Sequence, residues 1–312
     1  MQAVLLDAAS LGADIDLSPI EARVSRLTCH DATSAEHVVP RLDQADVAIV
    51  NKVVLDAASL EALPRLKLIC VLATGTNNID MQAAERLGIQ VRNVVGYGTA
   101  SVAQHSLLLL LALAARLPLY QEDVRSGRWS ASPFFCLMDH PTMQLDGRHL
   151  VIVGQGELGR RVGQLAAGLG MQVSYAARPG REAGDSRPAL HELAAGADVI
   201  SLHCPLTDAT QHLIDETLLA RLKPSTLIIN CARGGIIDER ACLAALQAGR
   251  LGGLGVDVLP EEPPRNGHPL LEALGEPLNL IVTPHNAWIS PEARQRIVSL
   301  TADNLDAWIA TR

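Results

Sequence analysis

A glycine fingerprint constrains this chain more than any other feature, and it arrives only halfway along: Leu150-Val151-Ile152-Val153-Gly154-Gln155-Gly156-Glu157-Leu158-Gly159. A unit that begins there is inserted in, or appended to, a domain begun earlier. The apolar run over 150–153 predicts a buried strand, and Leu158, Val162, Leu165, Ala166 and Leu169 recur at helical spacing over 157–169. Gly154 permits a tight turn, Gly156 lets the backbone approach a pyrophosphate, and Gly159 lets helix pack close on strand. The helix N-terminus at Glu157 and Leu158 offers free N–H groups and a positive dipole end to phosphates. Glycine-rich turns also arise from packing alone, but strand before and helix after favour dinucleotide binding.

The next clue is an absence. Units that prefer NAD carry an Asp or Glu at the end of the second strand for the ribose 2′-OH. Here the strand over 172–176 is followed by Ala177-Arg178-Pro179-Gly180-Arg181. Ala177 replaces the acid, which removes repulsion toward a 2′-phosphate, and the Arg178 guanidinium can bond to one. This favours NADP(H), with NAD(H) as the other cofactor; the competing reading of Arg178 is a solvated loop charge.

At 312 residues the chain predicts two domains, and its 48% hydrophobic and 19% charged content supplies core rather than disorder. A net charge of −8 gives no general attraction to nucleic acid or an anionic membrane, so anions must be held by local arginines. Cys29, Cys70, Cys136, Cys204, Cys231 and Cys242 show neither C-x-x-C nor metal-ligand spacing. Free thiols in a reducing compartment, and no metal, are expected. The first residues lack a basic segment followed by a long apolar run, which points to a cytoplasmic protein.

Strand and helix alternate from end to end. Buried strands are predicted over 4–6, 47–50 and 68–72, with helices over 56–62 and 81–87, giving a flavodoxin-like first domain. A second series runs through 150–153, 173, 199–202, 227–229, 254–256 and 280–282, the six strands of a doubly wound sheet. The fold class expected is therefore α/β, with two Rossmann-like domains: a substrate domain over 1–98 plus 288–312 and an inserted NAD(P)-binding domain over 99–287. A helix over 291–310 is expected to fold back on the first. The apolar stretch 106–115 is too short to span a membrane. Being apolar all round, it is expected to be buried, either inside the core or, with Trp129, Phe134 and Phe135 after it, in a homodimer interface.

Three late strands end in chemistry. After 227–229 comes Asn230-Cys231-Ala232-Arg233-Gly234-Gly235, after 254–256 comes Asp257 with Glu261 and Glu262 beyond it, and after 280–282 comes Thr283-Pro284-His285. Each residue alone would pass for a structural histidine, a solvated acid or a loop arginine. Together, at the carboxyl ends of strands in one sheet, they mark an active site.

The ordered motifs Ala73-Thr74-Gly75-Thr76-Asn77-Asn78-Ile79-Asp80, 93–98, Ser101-Val102-Ala103-Gln104-His105, the fingerprint, His203-Cys204-Pro205-Leu206-Thr207, the Arg233 and Glu262 segments and Pro284-His285 run over nearly the whole chain. In them the chain resembles the D-isomer-specific 2-hydroxyacid dehydrogenases. Asn51-Lys52-Val53, Gln104, the arm at 134–137 and His285-Asn286-Ala287-Trp288 are most similar to the glycerate dehydrogenase or hydroxypyruvate reductase group. The resemblance implies that Arg233 grips the carboxylate and carbonyl of a small 2-oxo acid, aided by the amides of Thr74 and Gly75. It implies that His285 is the general acid, oriented by Glu262. His203 and Pro205 would line the nicotinamide, Cys231 and Ala232 would form part of its loop, and Asp257 would meet its carboxamide. Hinges near 96–101 and 287–290 would close the two domains. Phosphoglycerate dehydrogenase and a nucleotide-sensing corepressor are the alternative functions.

Overall fold

Runs of about four apolar residues, too short for buried helices, bury their backbone polar groups by pairing side by side in parallel sheets covered on both faces. In the computed structural model, which describes residues 1–311, two such sheets form. The chain divides into two units, Met1–Gly98 together with the chain from Ile289 on, and Thr99–Trp288.

The first unit contains β1 (Gln2–Leu5), β2 (Arg26–Cys29), β3 (Val47–Val50), β4 (Leu68–Val71) and β5 (Gln90–Asn93), all parallel in the order β2-β1-β3-β4-β5. That is the flavodoxin-like order. The helices Ala57–Glu61 and Met81–Arg86 start where Asp56 and Asp80 accept the N–H groups of Ser59 and Ala83. Asp7, just past β1, is buried, and its carboxylate accepts the N–H groups of Asn51 at 2.9 Å, Lys52 at 2.7 Å and Val53 at 3.2 Å, fixing the loop beyond β3. The helix Pro291–Ile309 packs on the helix Ser18–Glu21 and on β4 and β5. Ile297, Val298, Leu305 and Trp308 are buried there, and Arg294–Asp14 (2.6 Å) and Arg23–Asp306 (3.0 Å) pair at its rim.

The second unit contains β6 (His149–Val153), β7 (Gln172–Tyr175), β8 (Val199–Leu202), β9 (Leu227–Asn230), β10 (Gly253–Val256) and β11 (Leu280–Val282), all parallel in the order β11-β10-β9-β8-β6-β7. Strand order reverses between β6 and β8, so their carboxyl ends form the switch point at which such sheets bind ligands.

The helix Thr99–Ala114 lies on β9, β10 and the helix Glu157–Ala167, burying Ala103, Leu109, Leu110 and Leu113. Of the two expectations for this helix, burial wholly inside the core of one chain does not hold: Leu108 and Leu111 are 54% and 43% exposed on its outer side. A helix laid over one sheet face contacts only that layer. Arg116, at φ 54°, turns the chain by 60° into the helix Leu117–Arg125, and the arm beyond it exposes Trp129, Phe134, Phe135 and Met138. Among the described residues, no single helix is long and apolar enough to cross a membrane.

Leu113 is fully buried, and a cavity there is felt by both the sheet and the helix. Leu113→Ala should therefore lower unfolding stability by about 2–5 kcal/mol in denaturant titrations.

Candidate active site

The switch point is shaped first by glycine. Gly154 follows β6 at φ 104°, and a Cβ on it would strike the carbonyl of His203, the residue that follows β8. A Cβ on Gly159 would strike the carbonyl of Gly154, so this glycine seats the helix Glu157–Ala167 directly on the turn. Gly156 caps that helix, and a Cβ there would meet nothing within 4 Å. Two of the three glycines thus make packing contacts and the third faces open space. Glu157 and Leu158 supply the free N–H groups of the first turn, and this cradle fits the pyrophosphate of a dinucleotide.

His203 carries its ring inward. Its Nε2 lies 2.8 Å from Ser201 Oγ, its buried Nδ1 has no partner, and burial pushes its pKa down to about 4, so the imidazole is neutral near pH 7. Pro205 is exposed in the next turn, where its carbonyl accepts the Thr210 hydroxyl at 2.7 Å. Burial also raises the thiols of Cys204, to about 11, and Cys231, to about 12, which makes both unreactive.

Beyond β9, buried Asn230 folds its own turn: its Oδ1 accepts the N–H of Ala232 at 3.1 Å and its Nδ2 donates to the carbonyl of Arg233 at 2.9 Å. Cys231 and Ala232 are buried in this turn, while Arg233 is exposed, one guanidinium nitrogen donating to the Ala232 carbonyl at 2.6 Å. A Cβ on Gly234 would overlap the backbone of Leu259 and Pro260. The arginine loop therefore packs against the loop that carries Glu262.

Asp257, just past β10, is 1% exposed and organises the third loop. Its Oδ1 accepts the Thr283 hydroxyl at 2.5 Å and the N–H of Asn286 at 3.0 Å, and its Oδ2 accepts the N–H of Ala287 at 3.0 Å. Its carbonyl accepts the N–H of His285 at 2.8 Å. Because Thr283 donates to the carboxylate, its oxygen accepts from His105, whose Nε2 stands 3.0 Å away. The side chain that the resemblance gives to a carboxamide also organises the protein's own loop.

That loop holds His285 at φ 51°, a left-handed conformation that costs a residue with a Cβ about 1–3 kcal/mol. The ring then meets Glu262, with Nδ1 2.5 Å from Oε2, while Glu262 Oε1 accepts the Leu259 N–H at 2.8 Å. Trp288 Nε1 donates to the His285 carbonyl at 3.0 Å. A carboxylate on Nδ1 fixes the imidazole and leaves Nε2 to carry a proton to or from another molecule. Both side chains are about one-third exposed, so the pair is reachable.

The structure thus joins Glu262 to His285 and places Arg233 in the adjoining loop. Arg178 is exposed past β7, its N–H bonded to Asp185 Oδ2 at 2.9 Å. Thr74 and Gly75 lie past β4 in the other unit, where Thr74 Oγ1 donates to the Val94 carbonyl at 3.1 Å. Sequence reasoning missed Thr283, Asn230 and Asp185 as organisers, since each acts through partners that only folding supplies. Among the described residues, no cluster of His, Cys, Asp and Glu is placed to hold a metal.

Residues 107–287 match the family model described as D-isomer specific 2-hydroxyacid dehydrogenase, NAD binding domain. The chain is 41% identical over 276 residues to a glycerate dehydrogenase of Methylorubrum extorquens, covering 88% of this chain and 86% of that one. It is 35% identical over 317 residues to a hydroxypyruvate reductase of Blautia hydrogenotrophica, covering 99% and 97%. Its fold is similar to that of a D-lactate dehydrogenase from Aquifex aeolicus complexed with NAD and lactic acid, at TM-score 0.80 and 26% identity over 99% of this chain and 96% of that one.

Removing the Asp257 carboxylate strands one hydroxyl and two amide donors. Asp257→Ala should cost roughly 2–4 kcal/mol of stability and abolish hydrogen-exchange protection at Asn286 and Ala287.

Proposed function

The chain belongs to the D-isomer-specific 2-hydroxyacid dehydrogenase family, and from that premise we propose that it reduces hydroxypyruvate or glyoxylate to the D-2-hydroxy acid, preferring NADPH to NADH. The observation that carries the reaction is the 2.5 Å bond between His285 Nδ1 and Glu262, past the carboxyl end of β11 in the sheet whose β6 leads into the glycine cradle. The dihydronicotinamide, when bound, supplies hydride to the carbonyl carbon of the 2-oxo acid. His285 gives the proton from Nε2 to the carbonyl oxygen, and Glu262 stabilises the imidazolium that binds substrate. The Arg233 guanidinium pairs with the substrate carboxylate and draws charge from the carbonyl oxygen. In the oxidative direction the same imidazole, neutral, removes the hydroxyl proton.

The substrate assignment is supported by the names of the two relatives, since glycerate and hydroxypyruvate are the two sides of one redox couple. Glyoxylate differs from hydroxypyruvate only in lacking a small substituent. The preference for NADPH is supported by Ala177 and Arg178 at the end of β7. Six free cysteines support a reducing, cytoplasmic setting.

His285→Ala should retain the wild-type melting temperature and lower kcat at least 100-fold, the scale of a lost general acid. The check is NADPH absorbance with hydroxypyruvate, glyoxylate, 3-phosphohydroxypyruvate and pyruvate. Best turnover of 3-phosphohydroxypyruvate would move the assignment to phosphoglycerate oxidation, and turnover of none would favour a nucleotide-sensing binder.

We also propose a homodimer. Leu108, Phe134, Phe135 and Met138, between 54% and 91% exposed, are costly to leave in water and suit a second copy's matching face. Replacing both Phe134 and Phe135 by Asp should shift the light-scattering mass toward that of one chain, whereas an unchanged mass would place the contact elsewhere.

A further inference from the structure

A second arginine stands at the end of β7. Arg187 returns from the loop over 177–187 and lays one edge of its guanidinium on Asp185: Nε donates to Oδ1 at 2.8 Å and Nη2 donates to Oδ2. Its Nη1 donates to Gln155 Oε1 at 3.0 Å, and Gln155 is the residue between the first two glycines of the fingerprint. One side chain thus ties the phosphate-binding turn to the strand end where the adenosine ribose of a dinucleotide belongs.

A carboxylate does return to this strand end, eight residues after the position where Ala177 replaces it. It is not free to receive a ribose hydroxyl. Asp185 Oδ2 accepts the N–H of Arg178 at 2.9 Å, Oδ1 accepts the N–H of Arg187 at 3.0 Å, and the guanidinium takes what remains. Those bonds, the guanidinium first, hold its carboxyl far below the usual carboxylate range.

Outward, the cluster presents the guanidinium. Three of its five N–H groups are used, which leaves one on Nη1 and one on Nη2 to donate to a phosphate. The side chain is 27% exposed, so it is held yet reachable. Arg178, by contrast, is exposed and anchored by its backbone, and ordering its long side chain on a ligand carries an entropic cost that Arg187 has already met. Within the loop, Arg178, Arg181 and Arg187 outnumber Glu182 and Asp185, in a chain that is acidic as a whole.

We infer that Arg187, held by Asp185 against Gln155, is the residue that selects a ribose 2′-phosphate, with Arg178 an outer contributor. The inference rests on the reading that NADPH is preferred, and the two are separable by equilibrium titration of NADPH and NADH in the absence of any 2-oxo acid, followed by nucleotide fluorescence. Wild type should bind NADPH at least tenfold more tightly than NADH. Arg187→Ala should raise the NADPH Kd about 10–100-fold, as for a lost ionic contact, and move the NADH Kd less than about threefold. Asp185→Asn, which loosens the anchor, should lose part of the preference, and Arg178→Ala less than Arg187→Ala. Arg187→Lys keeps the charge without the planar fork and should behave like Arg187→Ala, which gives a second readout if the alanine variant folds poorly by thermal melt. Equal wild-type affinities would overturn the NADPH reading and this inference with it. A wild type that prefers NADPH, with variants at Arg187 that keep the preference, would overturn the inference alone.

Discussion

The buried carboxylate of Asp257 is the constraint on which the candidate site depends. A charge at 1% exposure persists only if donors surround it, and the donors it gathers are the backbone and hydroxyl groups of residues 283–287. That demand bends the chain back at His285 and holds its backbone left-handed. From there the imidazole meets Glu262, which is tied to its own loop through Leu259. The other unit solves a similar problem in the same way: Asp7, past β1, collects the amides of residues 51–53 past β3. In both cases a carboxylate at one strand end shapes the loop at the end of another strand.

Much of this was legible in the sequence because parallel strands buried on both faces appear as unbroken apolar runs. The runs at β3, β4, β6, β8 and β9 mark strands whose residues are buried throughout or nearly so. The edge strands β2 and β5 were not legible, since Arg26, Gln90, Arg92 and Asn93 face a less crowded layer and break the apolar pattern. For the helix Thr99–Ala114, composition left two readings open, because it reports how apolar a segment is and not how many sides of it the same chain covers.

The site divides along similar lines. Arg233, Glu262 and His285 stand out because their types are unusual at consecutive strand ends, and strand ends can be counted from sequence. Thr283, His105 and Asn230 do not, because each acts through a partner that only folding brings near. The loop past β7 is the sharpest example. The missing acid at Ala177 was visible at once, but a carboxylate from Asp185 beside Arg178 required the loop to close on itself.

Gly234 draws one further consequence from this architecture. Any side chain there would wedge the loop of Arg233 away from Leu259 and Pro260, and with them from the carboxylate that steadies the histidine. The Arg233 loop and the loop that carries Glu262 are kept in mechanical alignment by the emptiness of one position rather than by a bond. Change elsewhere in the two loops leaves this joint intact only while position 234 stays bare, so the spacing of the loops is set by a residue with no side chain of its own.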